Sequence, residues 1–246
     1  MNIDFTNKTV LVTGGTRGIG ASIVSHFENL NAEVIATGAN KDKLKKSDHG
    51  RIKYCYLDLK NEKSISDFIE YINQLKKIDI LINNAGFNKI DPIEQIKDED
   101  WDNIYNINLY GPFVLTRAIS KIMKKNKYGR IINIASILGV ISREKRAAYS
   151  ATKSGLIGLT KATALDLAKY NILVNSISPG FIDTELTKNI LGPKSMKELS
   201  NSIPLKRLGD PDEISKLVLF LTSDQNTYIT GANIIIDGGY TNAWFY

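Results

Sequence analysis

The chain is poor in the residues that build covalent or metal-bound frameworks. Cys55 is its only cysteine, and its two histidines, His26 and His49, stand far apart. A single thiol excludes an internal disulfide and suits a reducing compartment, and no metal-ligand spacing is visible. No apolar run approaches the ~20 residues that a bilayer-spanning helix needs. The opening stretch, MNIDFTNKTVLV, lacks a basic segment followed by a long apolar one, so no signal peptide is expected. Linkers, repeats and low-complexity tracts are missing too. Together these absences predict a cytoplasmic, metal-free protein with no membrane partner and one domain over 1–246.

Positive charge is in excess, with a net charge of +6. The lysines group at Lys41, Lys43, Lys45, Lys46 and at Lys121, Lys124, Lys125, Lys127. No nucleic-acid-binding motif accompanies either group, so no nucleic-acid partner is expected, and the second group reads as a solvated face.

Hydrophobic residues make up 43% of the 246 and charged residues 24%, an ordinary globular balance. Short β-rich runs recur at Val10–Val12, Val34–Thr37, Lys53–Leu57, Asp79–Asn83, Arg130–Ile134, Leu173–Ile177 and Asn233–Ile236. Between them, apolar residues fall three or four apart, as in Ile19, Ile23, Phe27 and Leu30. Nearly all-apolar strands separated by helices imply a parallel sheet covered on both faces. Asp210, Pro211 and Glu213 supply N-cap, N1 and N3 of a late helix. The fold class is therefore α/β, a doubly wound Rossmann-type fold with a seven-stranded parallel sheet.

In such folds the ligand crevice lies beyond the carboxyl ends of the strands. Small polar residues gather there: TGGTRGIG after the first strand, NNAG after the fourth, Ser136 after the fifth, SPG after the sixth. TGGTRGIG runs from Thr13 to Gly20, with Gly14, Gly18 and Gly20 set between a strand and a helix. Glycines there let backbone approach a pyrophosphate, whose charge the exposed N–H groups of the helix start favour. The alternative is a turn that needs only flexible residues. Further on, Tyr149 and Lys153 are spaced i, i+4 in YSATK, which sets phenol and ammonium on one helix face.

In order, these motifs resemble the short-chain dehydrogenase/reductase family, nearly end to end. The landmarks are TGGTRGIG, Asp58 in LDL, NNAG (Asn83–Gly86), Asn108 in INL, Ser136, Tyr149–Lys153 and Pro179–Gly180. The resemblance implies a catalytic set of Asn108, Ser136, Tyr149 and Lys153. Tyr149 would protonate the carbonyl oxygen, Ser136 would hydrogen-bond it, and Lys153 would lower the Tyr149 pKa and hold the nicotinamide ribose. Asn108 would anchor a water that relays protons to Lys153. Cofactor contacts would come from Gly14, Thr16, Arg17, Gly18, Ile19, Gly20, Asp58, Leu59, Asn84, Ala85, Gly86, Pro179, Gly180, Ile182 and Thr184, besides Tyr149 and Lys153.

Coenzyme choice turns on VIATGAN, where NAD-preferring relatives carry an acidic residue and this chain has Gly38. With Arg17, Lys41 and Lys43 nearby, NADP(H) is expected rather than NAD(H). A serine hydrolase built on Ser136 is disfavoured because no G-x-S-x-G elbow surrounds it. A non-catalytic dinucleotide sensor is disfavoured because all four catalytic positions are filled. Overall likeness is greatest to 3-oxoacyl-[acyl-carrier-protein] reductases, with a reductase or dehydrogenase of a sugar, steroid-like alcohol or small ketone as the alternative. The substrate is thus a small or acyl-carrier-bound carbonyl compound. A substrate lid is expected at about 181–204, from the apolar positions Leu186, Ile190, Leu191, Met196, Leu199 and Ile203. A homotetramer is expected from the aromatic ending TNAWFY and the small residues Gly155, Gly158 and Ala162.

Overall fold

In the computed structural model the described residues are 3–44, 50–185, 187 and 193–243, less the side chains at 43, 193 and 194. Seven strands form one sheet: β1 (Thr9–Val12), β2 (Glu33–Gly38), β3 (Ile52–Tyr56), β4 (Ile80–Asn83), β5 (Gly129–Ile134), β6 (Ile172–Pro179) and β7 (Asn233–Ile236). Their order is β3-β2-β1-β4-β5-β6-β7, and every pairing is parallel. The order reverses between β1 and β4, which opens the crevice where such sheets take ligands. Each expected strand is present, with ends shifted by a residue or two; β3, for instance, stops at Tyr56.

Helices cover both faces: α1 (Gly18–Asn29), α2 (Lys41–Leu44), α3 (Glu62–Gln74), α4 (Asp98–Tyr105), α5 (Gly111–Asn126), α6 (Ala147–Leu167), α7 (Pro193–Ser202) and α8 (Pro211–Thr222). Alternate residues of a strand point to opposite faces, and β1 divides its side chains accordingly. Val10 and Val12 pack with Ile23, Val24 and Phe27 of α1 and Ile214, Val218 and Leu221 of α8. Leu11 joins Phe68 and Ile72 of α3, Leu115 and Ile119 of α5, and Leu167 of α6. All residues of β5 and β6 are buried, as a strand sandwiched between two helical layers requires.

The start of α8 is built as its sequence implies. The Asp210 side chain accepts from the Asp212 N–H at 2.8 Å, and Glu213 accepts from the Asp210 N–H at 2.8 Å, closing a capping box. Among the described residues no helix is long and apolar enough to cross a membrane.

The lid segment is only partly described, since Leu186, Ile190 and Leu191 lie outside the described residues. Leu199 and Ile203 are buried, and a Cβ added at Gly238 would come within 2.8 Å of the Ile203 side chain. The 199–205 end of the segment is therefore docked firmly onto the turn after β7. The terminal aromatics Trp244, Phe245 and Tyr246 also lie outside the described residues, as do Lys45, Lys46 and His49.

A buried polar ladder ties the sheet to the helices beneath the crevice. Asn83 of β4 donates to the Asn133 side chain at 2.8 Å and to Thr116 of α5 at 3.3 Å. Asn133 of β5 in turn donates to Thr160 of α6 at 2.8 Å, fixing the rotation of α6 against the sheet. Removing one member strands its buried partner, which costs about 1–3 kcal/mol. Asn133→Leu is expected to lower stability by that amount in urea melts, whereas a change below about 0.5 kcal/mol would match an ordinary surface substitution and rule out this bracing role.

Candidate active site

The glycine loop after β1 and the NNAG segment after β4 are locked face to face. Thr13 Oγ1 accepts from the N–H groups of both Asn84 and Ala85 at 3.0 Å. The Asn84 amide donates to the carbonyls of Thr13 at 2.9 Å and Gly14 at 3.1 Å. Asn84, expected to line the cofactor cleft, thus spends its side chain on bracing the loop. Glycines make this approach feasible. A Cβ at Gly20 would stand 2.2 Å from the Gly14 carbonyl oxygen, and Gly14 has a φ of +63° with Ala85 Cα 3.0 Å from where its Cβ would be.

Arg17 occupies the N-cap of α1 with extended backbone and makes no side-chain cap, so Gly18, Ile19 and Gly20 start the helix without one. Thr16 and Arg17 are exposed there. Such a helix start, reached through glycines too tight for any side chain, fits a pyrophosphate. Opposite lies the turn after β6. Gly180 donates its N–H to Ile236 at 2.9 Å, Ile182 is buried in a bridge to Gly209, and the Thr184 methyl lies 3.4 Å from where a Gly18 Cβ would be. The turn that carries Pro179, Gly180 and Ile182 thus brings Thr184 against the glycine loop at Gly18.

At the far end of that crevice, Gly38 closes β2 and pairs with Tyr56. A Cβ at Gly38 would meet the Thr16 methyl at 2.8 Å, so an aspartate there requires Thr16 to move. Lys41 sits at the first turn of α2 with its Nζ 4.4 Å from the centre of the Tyr56 ring, a cation–π contact that the sequence reading did not foresee. Asp58 is half-buried and accepts from the Lys60 N–H at 3.0 Å, while Leu59 is buried beside it.

The four residues expected to be catalytic converge at the same sheet edge. Helix α4 runs into α5 through a π-helical turn, Asn106–Tyr110, that holds Asn108 fully buried. Such wide turns are frequent at functional sites. The Asn108 side chain grips Phe87 from both sides, accepting from its N–H at 2.9 Å and donating to its carbonyl at 2.8 Å. It also donates to Thr152 at 3.4 Å, and Thr152 donates to the Tyr149 carbonyl at 2.9 Å. Thr13, Thr152 and Gly139 were not singled out from the sequence, although each adjoins a motif. A Cβ at Gly139 would press within 2.8 Å of the Lys153 backbone.

Lys153 is 3% exposed and donates its ammonium to the Ile134 carbonyl at 2.8 Å. Gly86 leaves room beside it: a Cβ there would stand 3.8 Å from Lys153 Nζ and 3.7 Å from Asn108 Oδ1. Burial lowers the Lys153 pKa to about 8. Tyr149 is half-buried, and burial raises its pKa. A hydrogen bond from Ser136 and the charge of Arg146 act in the opposite direction. Lys153 Nζ lies 5.6 Å from the tyrosine ring centre and is bound to a carbonyl, whereas Arg146, one turn before Tyr149, supplies the opposing charge.

Comparison with known proteins agrees with this geometry. The family model described as Enoyl-(Acyl carrier protein) reductase matches residues 14–241. The 3-oxoacyl-[acyl-carrier-protein] reductase FabG of Rickettsia felis is 40% identical over 242 residues, 96% of this chain and 98% of that protein. Among solved structures, a 4-hydroxyisoleucine dehydrogenase complexed with NADH superposes with a TM-score of 0.90 at 37% identity, covering 97% of this chain and 100% of that one. ElxO with NADP bound superposes with a TM-score of 0.89 at 31% identity, covering 96% and 99%. A parallel sheet with its switch-point crevice, a glycine-lined helix start and a Ser–Tyr–Lys cluster, in a chain that matches these proteins over nearly its whole length, make it a member of the short-chain dehydrogenase/reductase family, the NAD(P)-dependent oxidoreductases of alcohol and carbonyl groups.

Proposed function

We propose that the chain is a cytoplasmic, NADP(H)-dependent 3-oxoacyl-[acyl-carrier-protein] reductase. The observation that carries the chemistry is the buried Lys153 with its Nζ 5.6 Å from the Tyr149 ring centre, at the sheet edge where Ser136 follows β5. The relatives named above support the substrate. A second reading, a dehydrogenase of a small alcohol, is favoured by the 37% identity to 4-hydroxyisoleucine dehydrogenase. Reduction of a 3-oxoacyl thioester by the purified protein with NADPH separates the two.

A bound nicotinamide supplies hydride to the carbonyl carbon. Tyr149 donates its phenolic proton to the carbonyl oxygen, and its raised pKa keeps that proton in place through the neutral range. Ser136 donates a hydrogen bond to the same oxygen as negative charge builds on it. Lys153 holds ribose hydroxyls and returns a proton to Tyr149. Asn108 keeps the Phe87 backbone and Thr152 in register around that lysine. Gly14, Gly18, Gly20 and the start of α1 receive the pyrophosphate, and Asp58 accepts from the adenine amino group.

Arg17 and Lys41 face the 2′-phosphate, with no carboxylate at Gly38 to repel it. We further propose a single catalytic domain whose 181–204 segment forms the lid, with Leu199 and Ile203 at its docked end. A homotetramer is proposed as well. Gly158 and Ala162 of α6 are exposed beside Leu165, which is 82% exposed. Gly155 has a different use, since a Cβ there would touch Leu109 of the same chain at 3.0 Å.

Tyr149→Phe keeps the ring and removes the proton donor, so turnover is expected to fall about 10²- to 10⁴-fold with coenzyme affinity retained. Near-normal kcat on an established substrate would remove Tyr149 from the mechanism. The pH profile follows from Lys153. The ammonium is the protonated form and is lost as pH rises through about 8, while Tyr149 stays neutral; kcat/KM for carbonyl reduction should therefore decline by one proton above about 8. A flat profile from neutral pH to well above that value contradicts the assignment. For the coenzyme, one charge-assisted bond to phosphate is worth about ten- to a hundred-fold. Wild type should prefer NADPH over NADH by that factor in kcat/KM, and Arg17→Ala should erase most of it; a wild-type preference for NADH overturns the NADP(H) reading.

A further inference from the structure

Two arginines at the substrate mouth have no role in the chemistry above. The segment between Ser136 and α6 reads ILGVISREKR, and it delivers Arg143 and Arg146 to the entrance beside Tyr149. Arg146 is half-buried at the N-cap of α6, where its guanidinium donates only to the neighbouring Lys145 carbonyl at 3.3 Å. Its charge reaches the Tyr149 phenol. Arg143 lies over the Phe181 ring, 5.6 Å from its centre, and Phe181 meets Tyr240 edge-to-face at 5.1 Å. Three segments, after β5, β6 and β7, thus build one wall of the cleft with guanidinium groups on an aromatic base.

Among the described residues no carboxylate lies within ion-pair distance of either arginine. Glu144, between them, is exposed and makes no ion pair with them. Two neighbouring cations repel, and burial of one adds to the cost; both the burial of Arg146 and the charge of Arg143 lower its pKa. An arrangement that is unfavourable by itself becomes favourable once an oxyanion bridges the pair, because the fork of a guanidinium matches the two oxygens of carboxylate or phosphate. Val140 and Ile141 on the same loop are 50% and 36% exposed, so an apolar lip lies next to the charged one.

We propose that Arg143 and Arg146 form a specificity site for an oxyanion carried by the part of the substrate that lies at the mouth of the cleft. The inference rests on the reading of Tyr149 as the proton donor, and it sharpens the substrate class. The oxyanion is either a carboxylate on a small oxo acid or the phosphodiester of a pantetheine arm. These are recognised by the same chemistry, and the two sources are separable by experiment.

The test uses two substrate pairs with the intact protein and NADPH. The first pair is a 3-oxo carboxylic acid and its neutral ethyl ester. The second is a 3-oxoacyl thioester of phosphopantetheine methyl ester, a phosphodiester as on the carrier, and the same acyl group on neutral N-acetylcysteamine. A charge-assisted contact predicts a preference of about ten- to a hundred-fold in kcat/KM for the charged member of one pair. Preference in the first pair identifies a carboxylate, and preference in the second a phosphodiester. Arg143→Gln and Arg146→Gln should collapse the ratio, and Arg146→Lys, which keeps the charge, should retain part of it. Taking the ratio cancels any effect of Arg146 on Tyr149 itself. Ratios near one in both pairs for wild type overturn the inference, whether or not the variants fold. If neither thioester is reduced while an oxo acid is reduced in preference to its ester, the acyl-carrier reading fails and the oxyanion site stands.

Discussion

The site is organised around one costly placement, an ammonium buried at the carboxyl edge of the sheet. Among the described residues the Lys153 ammonium donates to one protein acceptor, the Ile134 carbonyl, and burial lowers its pKa to about 8. Taking a charge out of water costs several kcal/mol unless well-placed dipoles compensate. The surroundings are shaped to keep that position open rather than to neutralise it. Gly139 carries no side chain where one would press on the Lys153 backbone, and the buried Asn108 stands near Gly86. The polar ladder from Asn83 through Asn133 to Thr160 then fixes the helix that bears both Tyr149 and Lys153.

Positive charge recurs along the crevice. Under the proposed function Arg17 and Lys41 would mark its ribose end, the bare start of α1 its middle, Lys153 its reacting end and Arg143 with Arg146 its mouth. A dinucleotide is a polyanion, and a low-dielectric cleft strengthens each of these attractions. The net charge of +6 is thus not only a solvated face. Part of it is gathered where an anionic coenzyme and substrate would lie. Lys41 also shows how an aromatic neighbour can hold a long cation in place, since the Tyr56 ring sits at the end of the strand paired with β2.

Much of this was legible in the chain itself. Strand runs and helical periodicity are local consequences of which face is buried, so all seven strands and the capping box at Asp210 could be read directly. Gly14, Gly18 and Gly20 were recognisable because backbone contact tolerates no other residue there, and Tyr149 and Lys153 because helix geometry puts i and i+4 together. Only the tertiary structure decided what each motif touches. It turned Asn84 into a brace, gave Gly155 to Leu109, drew Lys41 onto Tyr56 and brought the charge of Arg146 to bear on Tyr149. These outcomes depend on which loops meet at the sheet edge and how deeply each group is buried. Distance and desolvation are properties of packing between segments remote in sequence, and no local pattern encodes them.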